Sequence, residues 1–171
     1  KDSYYICQQI DYDFTIRELI HDPLFPERTV ILEQFAKFTF KMHEAKVNFL
    51  DHSPGNTLVV KKDSGKYEFY LIDLNRMNFK NLSIEERMDN FKKMWLSKTM
   101  VKVIAKTYAQ LSNESEEKLQ SILLEKTNQF KIVQSFNVIR QKAGLYTTKK
   151  TIDFTLRFNL YNGRYCITQK C

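Results

Sequence analysis

HEAKVNFLDHSPGNTLVVKKDSGKYEFYLIDLNR, residues 43–76, holds a helix end, a polar loop, two short apolar runs and a closing aspartate. Residues 51–56 (DHSPGN) are turn formers, with Pro54 and Gly55 as breakers. Residues 57–61 (TLVVK) and 67–72 (YEFYLI) have strand composition, and 62–65 (KDSG) between them have turn chemistry. The spacing predicts a tight hairpin that ends on Asp73. A loop followed by such a hairpin can set the Asp51 carboxylate and the Asn56 amide on one side of a cleft. The hairpin then returns a second carboxylate, Asp73, to that cleft.

Upstream, residues 27–47 carry Val30, Ile31, Phe35, Phe38, Met42 and Ala45 at helical spacing. The aromatic stripe at 35–40 on that helix reads as core rather than a stacking platform. Residues 11–20 read as a turn and a short helix, with Thr15 and Glu18 forming a capping box. Residues 21–26 are a loop marked by Pro23 and Pro26, and 3–10 (SYYICQQI) read as a buried strand running into a polar segment. Downstream, 83–110 predicts one long helix or two short ones, opened by a second capping box of Ser83 and Glu86. Residues 112–126 predict another helix, with acidic residues at 114–117 near its start as the helix dipole prefers. Residues 130–142 are helical in character and end at Gly144. Residues 151–168 alternate Ile152, Phe154, Leu156, Phe158 and Leu160, and with Asn162-Gly163 they read as a strand and hairpin turn. Neither an internal repeat nor a splitting linker is visible. The fold class expected is α+β, mostly helical, with a small β-hairpin at its centre.

A chain of 171 residues is about one domain's worth, and 43% apolar content supports a sizeable core. Thirteen Phe and nine Tyr make that core aromatic-rich, and four Gly and three Pro argue against low complexity. The net charge of +7 favours anionic partners such as nucleotides, nucleic acid or an acidic membrane surface, without choosing among them. Scattered surface lysines, including Lys92, Lys93, Lys98, Lys102, Lys149 and Lys150, read as a solvated face, with contact to anionic lipid as the rarer use. The three cysteines, Cys7, Cys166 and Cys171, form no CxxC pair. That count and spacing argue against a disulfide framework or a zinc site and fit a reducing compartment, with Cys7 as a buried thiol. No apolar run approaches the length of a membrane span, and no signal peptide is visible.

The chemistry suggested by 43–76 is phosphoryl transfer, which needs an acidic group at an acceptor hydroxyl and oxygen ligands for magnesium at the phosphates. The residues resemble a known superfamily. LDHSPGNTLVV, residues 50–60, is similar to the catalytic loop of protein-kinase-like enzymes: Asp, four residues, Asn, then a short apolar strand. YLIDLNR, residues 70–76, resembles their metal-binding segment, with Asp73 in the place of the DFG aspartate. His43 stands where kinases often carry a histidine at the end of the preceding helix, and SYYICQQI resembles the strand entering the hinge. Within the superfamily the IDLNR sequence at 72–76 is most similar to the lipopolysaccharide kinase group, the Kdo and heptose kinases of Gram-negative bacteria.

The resemblance implies roles for particular residues. Asp51 would orient the acceptor hydroxyl and accept its proton. Asn56 and Asp73 would bind Mg2+ across the phosphates of ATP. The main chain at Gln8, Gln9 and Ile10 would contact adenine, and Arg76 would face a phosphate or an acidic sugar. His43 would support the loop as a structural, hydrogen-bonded histidine. His52, inside the loop, is free to point its side chain toward solvent. The expected acceptor is an inner-core sugar of lipopolysaccharide. The place of work would be cytoplasmic, at the inner face of the inner membrane, with peripheral contact to its anionic surface. Nucleic acid is not an expected partner.

The sequence also departs from the wider pattern. Phe49 and Leu50 replace the His-Arg pair of many protein kinases, which argues against activation by a phosphorylated loop. Leu74 and Asn75 replace the Phe-Gly of DFG. No glycine-rich loop, strand lysine or partnering glutamate is present. Residues 1–171 are therefore expected to be a kinase-like C-terminal lobe starting at the hinge strand, with 151–171 as a hairpin tail. The expectation for these residues alone is little or no phosphotransfer. Other kinases of the superfamily, such as an aminoglycoside-type phosphotransferase, and a non-catalytic pseudokinase or binding module remain open at this point.

Overall fold

Thr15 and Glu18 form the reciprocal cap their spacing predicts: the Thr15 side chain accepts from the Arg17 backbone, and the Glu18 carboxylate accepts from the Thr15 N–H at 3.0 Å. This cap opens the first helix, α1 (Ile16–His21), directly after a two-residue strand, β1 (Phe14–Thr15), in a computed structural model that describes residues 8–142, 159–161 and 164–166. The predicted strand at 3–10 lies mostly outside the described residues, as does Cys7, and Gln8, Gln9 and Ile10 have no regular structure.

The second helix, α2 (Arg28–Glu44), buries Ile31, Leu32, Phe35, Ala36, Thr39, Met42 and His43, a single stripe at helical spacing. Phe35 is the largest apolar side chain of that stripe and is fully buried, while Phe38 and Phe40 pack partly exposed against the same core. Removing a ring in such a position typically costs about 3–5 kcal/mol. A short strand, β2 (Val47–Phe49), follows, and then a 3-10 turn at Pro54–Asn56. The predicted hairpin is present as β3 (Thr57–Lys62) and β4 (Lys66–Leu71), in antiparallel register from Thr57↔Leu71 to Lys62↔Lys66. Gly65 in its turn has φ +70°, a conformation glycine adopts without steric cost. β1 joins the outer edge of β3, giving a three-stranded sheet in the order β1-β3-β4. A further strand, β5 (Met77–Phe79), pairs antiparallel with β2 through Val47↔Phe79 and Phe49↔Met77.

The stretch 83–110 resolves into two helices, α3 (Ile84–Asn90) and α4 (Lys98–Ser112). Ser83 and Glu86 cap the first as predicted. The chain breaks at Trp95, which takes a left-handed conformation (φ 57°) and lies edge-on to Phe130 at 5.7 Å. Ser97 then caps α4 by accepting from the Met100 N–H. α4 ends where Asn113 turns left-handed, an ordinary way to stop a helix.

The helix expected at 112–126 starts later, at Glu116, and does not stop at 126. It continues through the second predicted segment as one helix, α5 (Glu116–Lys142), with Ser115 accepting from the Lys118 N–H at its start. No Gly or Pro interrupts 116–142, so nothing in the sequence breaks the backbone ladder there.

Contacts divide the chain into two units, Lys1–Ser135 and Phe136–Cys171. The first holds the core of Ile16, Leu19, Phe35, Met88, Phe91, Ile104 and Tyr108, to which α5 contributes Leu119 and Leu123. In the second, β6 (Asn159–Tyr161) and β7 (Arg164–Cys166) pair antiparallel, within the predicted hairpin tail. The Asn162-Gly163 turn, Gly144, Lys149 and Lys150 lie outside the described residues. The architecture is α+β, mostly helical, with small antiparallel sheets.

Candidate active site

The two sheets leave a gap between their ladders, and the gap holds the predicted site. The β3–β4 ladder ends at Thr57↔Leu71, and the β2–β5 ladder begins at Phe49↔Met77. Between them, residues 50–56 and 72–76 form facing loops. A backbone bond closes each end: Leu50 N–H donates to the Arg76 carbonyl at 2.8 Å, and Ile72 N–H donates to the Asn56 carbonyl at 3.1 Å. Asp51 and Asn56 thus sit on one loop, and Asp73 and Arg76 on the other.

Within the first loop, Asn56 Nδ2 donates to the Asp51 carbonyl at 3.0 Å. A carbonyl only accepts, so this bond fixes the amide orientation and leaves Asn56 Oδ1 as an uncommitted acceptor. The Asp51 carboxylate accepts from Lys93 Nζ at 2.8 Å, and the same ammonium donates to the Leu50 carbonyl at 2.8 Å. That hydrogen bond, the Lys93 charge and the charge of Arg76 hold the Asp51 carboxyl below the usual carboxylate range, against a smaller opposing effect of burial. Asp51 is therefore a carboxylate at neutral pH.

Asp73 follows the last residues of the hairpin with φ 55°, a left-handed conformation that costs a non-glycine residue about 1–2 kcal/mol. Its Oδ1 accepts from Asn75 Nδ2 at 2.9 Å. Among the described residues no three His, Cys, Asp or Glu side chains cluster to hold a metal by themselves. One carboxylate and one amide oxygen do suit magnesium, which usually takes one or two protein ligands and completes its shell with phosphates and water.

Behind the loop lies a partly buried polar hub centred on Asn90 at the end of α3. Asn90 Nδ2 donates to the Phe49 carbonyl at 2.9 Å and to Asn48 Oδ1 at 2.8 Å, so its Oδ1 is turned to accept. That oxygen takes N–H bonds from His52 Nδ1 at 2.9 Å and His43 Nε2 at 3.2 Å. His43 Nδ1 is then free to accept from the Tyr108 hydroxyl at 2.8 Å. Both imidazoles are neutral in this scheme. Burial, the largest influence on each, lowers His43 to about 4 and His52 to about 3.

His43 is the structural histidine expected. His52 differs from expectation: it is 1% exposed, with its ring among Phe35, Phe49 and Phe91. A residue one step past Asp51 turns inward because the loop reverses there, its N–H bonding the Phe49 carbonyl. Lys93 also departs from the solvated-face expectation. It is the ion-pair partner of Asp51 and only about a quarter exposed. Sequence reading missed Lys93 and Asn90 because both bond to partners about forty positions away. Gln8 and Gln9 are exposed; Gln9 donates to Asp11 at 3.4 Å, and no hydrogen bond joins Gln8, Gln9 or Ile10 to the 51–56 loop among the described residues.

A helical lobe with a clamped loop–hairpin–loop that carries Asp, Asn and Asp in this order has the layout of a kinase-like phosphotransferase. The chain belongs to the lipopolysaccharide kinase (Kdo/WaaP) family, whose model matches residues 20–129, well over half of its length. The family is protein-kinase-like, and its members are kinases. The matched segment includes both facing loops, the Asn90 hub and Lys93. No curated protein matches the chain. No helix among the described residues is long and apolar enough to cross a membrane.

Proposed function

We propose that this protein, in its full-length form, transfers the γ-phosphate of ATP to a hydroxyl on an inner-core sugar of lipopolysaccharide. The observation that carries the reading is the pair of clamped loops, which sets Asp51 and Asn56 opposite Asp73 inside the segment matched by the family. In this reading Asp51 receives the hydrogen bond of the acceptor hydroxyl and takes its proton as the new O–P bond forms. Lys93 keeps that carboxylate ionised and fixes its rotamer, and the Asn90 hub holds the backbone on which it stands. A low-affinity base suffices, because the proton leaves late in phosphoryl transfer and most of the catalysis is positioning and charge stabilisation. Asn56 Oδ1 and the Asp73 carboxylate would hold Mg2+, whose charge offsets that of the phosphates when bound. Gln8, Gln9 and Ile10 would offer main-chain groups to adenine. Arg76 would meet a phosphate or an acidic sugar. The site would work on the cytoplasmic side, with the basic surface resting on anionic lipid at the inner membrane.

The test is acceptor profiling with the full-length protein: transfer of labelled γ-phosphate to lipopolysaccharide core oligosaccharide, to aminoglycosides and to protein. Transfer to the oligosaccharide is expected, with Asp51→Asn lowering kcat by about 10²–10⁴ and leaving nucleotide affinity in place. Transfer to aminoglycoside or protein, with none to the oligosaccharide, contradicts the proposed acceptor.

A further inference from the structure

Gly55 lies between the proposed base and the proposed metal ligand, and its backbone gives no reason for glycine. Its φ falls outside the left-handed region, where Gly65 alone is found among the described glycines. The reason lies above it. A Cβ built on Gly55 would stand 2.6 Å from Nη2 of Arg17, 3.4 Å from its Cζ and 3.5 Å from its Nε. Arg17, in the first turn of α1, therefore sets its Nη2 against the loop that carries Asp51 and Asn56, in the space that the missing side chain leaves.

That guanidinium is exposed and carries no hydrogen bond or ion pair of its own among the described residues. The neighbouring acid, Glu18, spends its carboxylate on Thr15 through the backbone N–H and the hydroxyl. Arginine offers five donors in a planar fork that matches carboxylate and phosphate. Here the fork is held beside the loop by close contact; Glu18 feels its charge, but no anion is hydrogen-bonded to it among the described residues.

We infer that Arg17 binds an anionic substituent of the acceptor, a carboxylate or phosphate on the sugar next to the one phosphorylated, and that Gly55 is glycine to let it do so. The inference rests on the kinase reading and adds to it a determinant of acceptor choice. A charged acceptor gains a bidentate contact just outside the reacting centre, and a neutral sugar of the same shape does not. Arg76, on the opposite loop, supplies positive charge near Asp51 and leaves the Arg17 contact distinct, since the two stand on different elements.

The test uses the full-length protein and calorimetric binding of three probes: Mg–ATP, lipopolysaccharide core oligosaccharide with its acidic groups intact, and the same oligosaccharide after carboxyl reduction and dephosphorylation. Arg17→Gln is expected to weaken the acidic oligosaccharide about tenfold or more, as loss of a charge-assisted contact does. Its affinities for Mg–ATP and for the neutralised oligosaccharide should match wild type. Gly55→Ala pushes only the flexible end of Arg17, so the protein should fold normally and show a similar loss. The double variant should bind no worse than Arg17→Gln, because both changes remove one contact. Acidic oligosaccharide bound equally by wild type and Arg17→Gln overturns the inference, as do losses that multiply in the double variant. A loss confined to Mg–ATP assigns the guanidinium to the nucleotide and also overturns it. Wild type that binds Mg–ATP but no oligosaccharide rejects the acceptor contact and keeps the kinase reading. Wild type that binds no Mg–ATP rejects the kinase reading itself.

Discussion

The 51–56 loop has two sides built on opposite principles. Behind it, His52, His43, Asn90, Phe49 and Tyr108 form a buried network in which Asn90 alone takes part in four hydrogen bonds. In front, Asn56 Oδ1 has no partner among the described residues, Asp73 sits in a left-handed conformation, and Arg17 rests on Gly55 with no anion hydrogen-bonded to it among the described residues. The difference teaches where stability is placed. Bonded polar groups at the back fix the backbone, although His52 Nε2 is left unpartnered there, while the groups at the front stay uncommitted.

The largest effect should come from breaking the back. Asn90→Leu leaves His43 Nε2 and His52 Nδ1 without their partner in a buried setting and removes one of the two donors to the Phe49 carbonyl. A loss of about 3–5 kcal/mol is expected in urea unfolding. A loss below about 1 kcal/mol would show that water or repacking replaces the hub and that the two sides are not so unlike.

Acid should loosen the same side. Burial lowers His43 to about 4 and His52 to about 3, from an ordinary value of 6.5 in the unfolded chain. Above pH 6.5 their contribution is present in full. As pH falls from 6.5 toward 4, the unfolded chain takes up protons that the folded one refuses, and stability drops. Each histidine adds a slope of about 1.4 kcal/mol per pH unit, so roughly 2–4 kcal/mol should be gone by pH 5. Denaturation midpoints at pH 7, 6 and 5 check this; about half the slope would show one imidazole charged within the fold, and a flat series would show both charged.

The front should be nearly neutral to stability yet sensitive in chemistry. Lys93→Met removes the cation that keeps Asp51 below the usual carboxylate range. For a pair partly screened by solvent, the stability change should stay under about 1 kcal/mol. The acid limb of kcat/KM should move to higher pH, because Asp51, as the proposed base, acts ionised and its carboxyl returns toward an ordinary value. An unmoved limb would mean that another group governs it.

Much of this contrast was legible in the sequence, and the division follows contact range. The α2 stripe, the two capping boxes and the β3–β4 hairpin depend on residues close along the chain, so their periodicity and turn chemistry showed them. β2 and β5 were not legible: each is three residues long and exists through pairing with a strand about thirty positions away. The inward turn of His52, the Lys93–Asp51 pair and the Asn90 hub failed for the same reason. Asp51, Asn56 and Asp73 stood out through spacing and resemblance alone, while Gly55 looked like an ordinary loop breaker until Arg17 was seen against it. The single α5 was misread at its start because Ser112 and Ser115 both offer cap chemistry, and only the latter is used as the cap.

The central claim is that the front of the loop holds a divalent cation and a nucleotide between Asn56 and Asp73. Calorimetric titration of full-length protein with ATP, with and without magnesium, tests it on wild type, Asn56→Ala and Asp73→Ala. The account predicts magnesium-dependent ATP binding by wild type, its loss in both variants and only a modest drop in melting temperature, since Asn56 gives up one hydrogen bond, Ala suits the left-handed position 73 less than Asp, and neither side chain supports the core. Equal magnesium-dependent affinity in wild type and Asp73→Ala would contradict it.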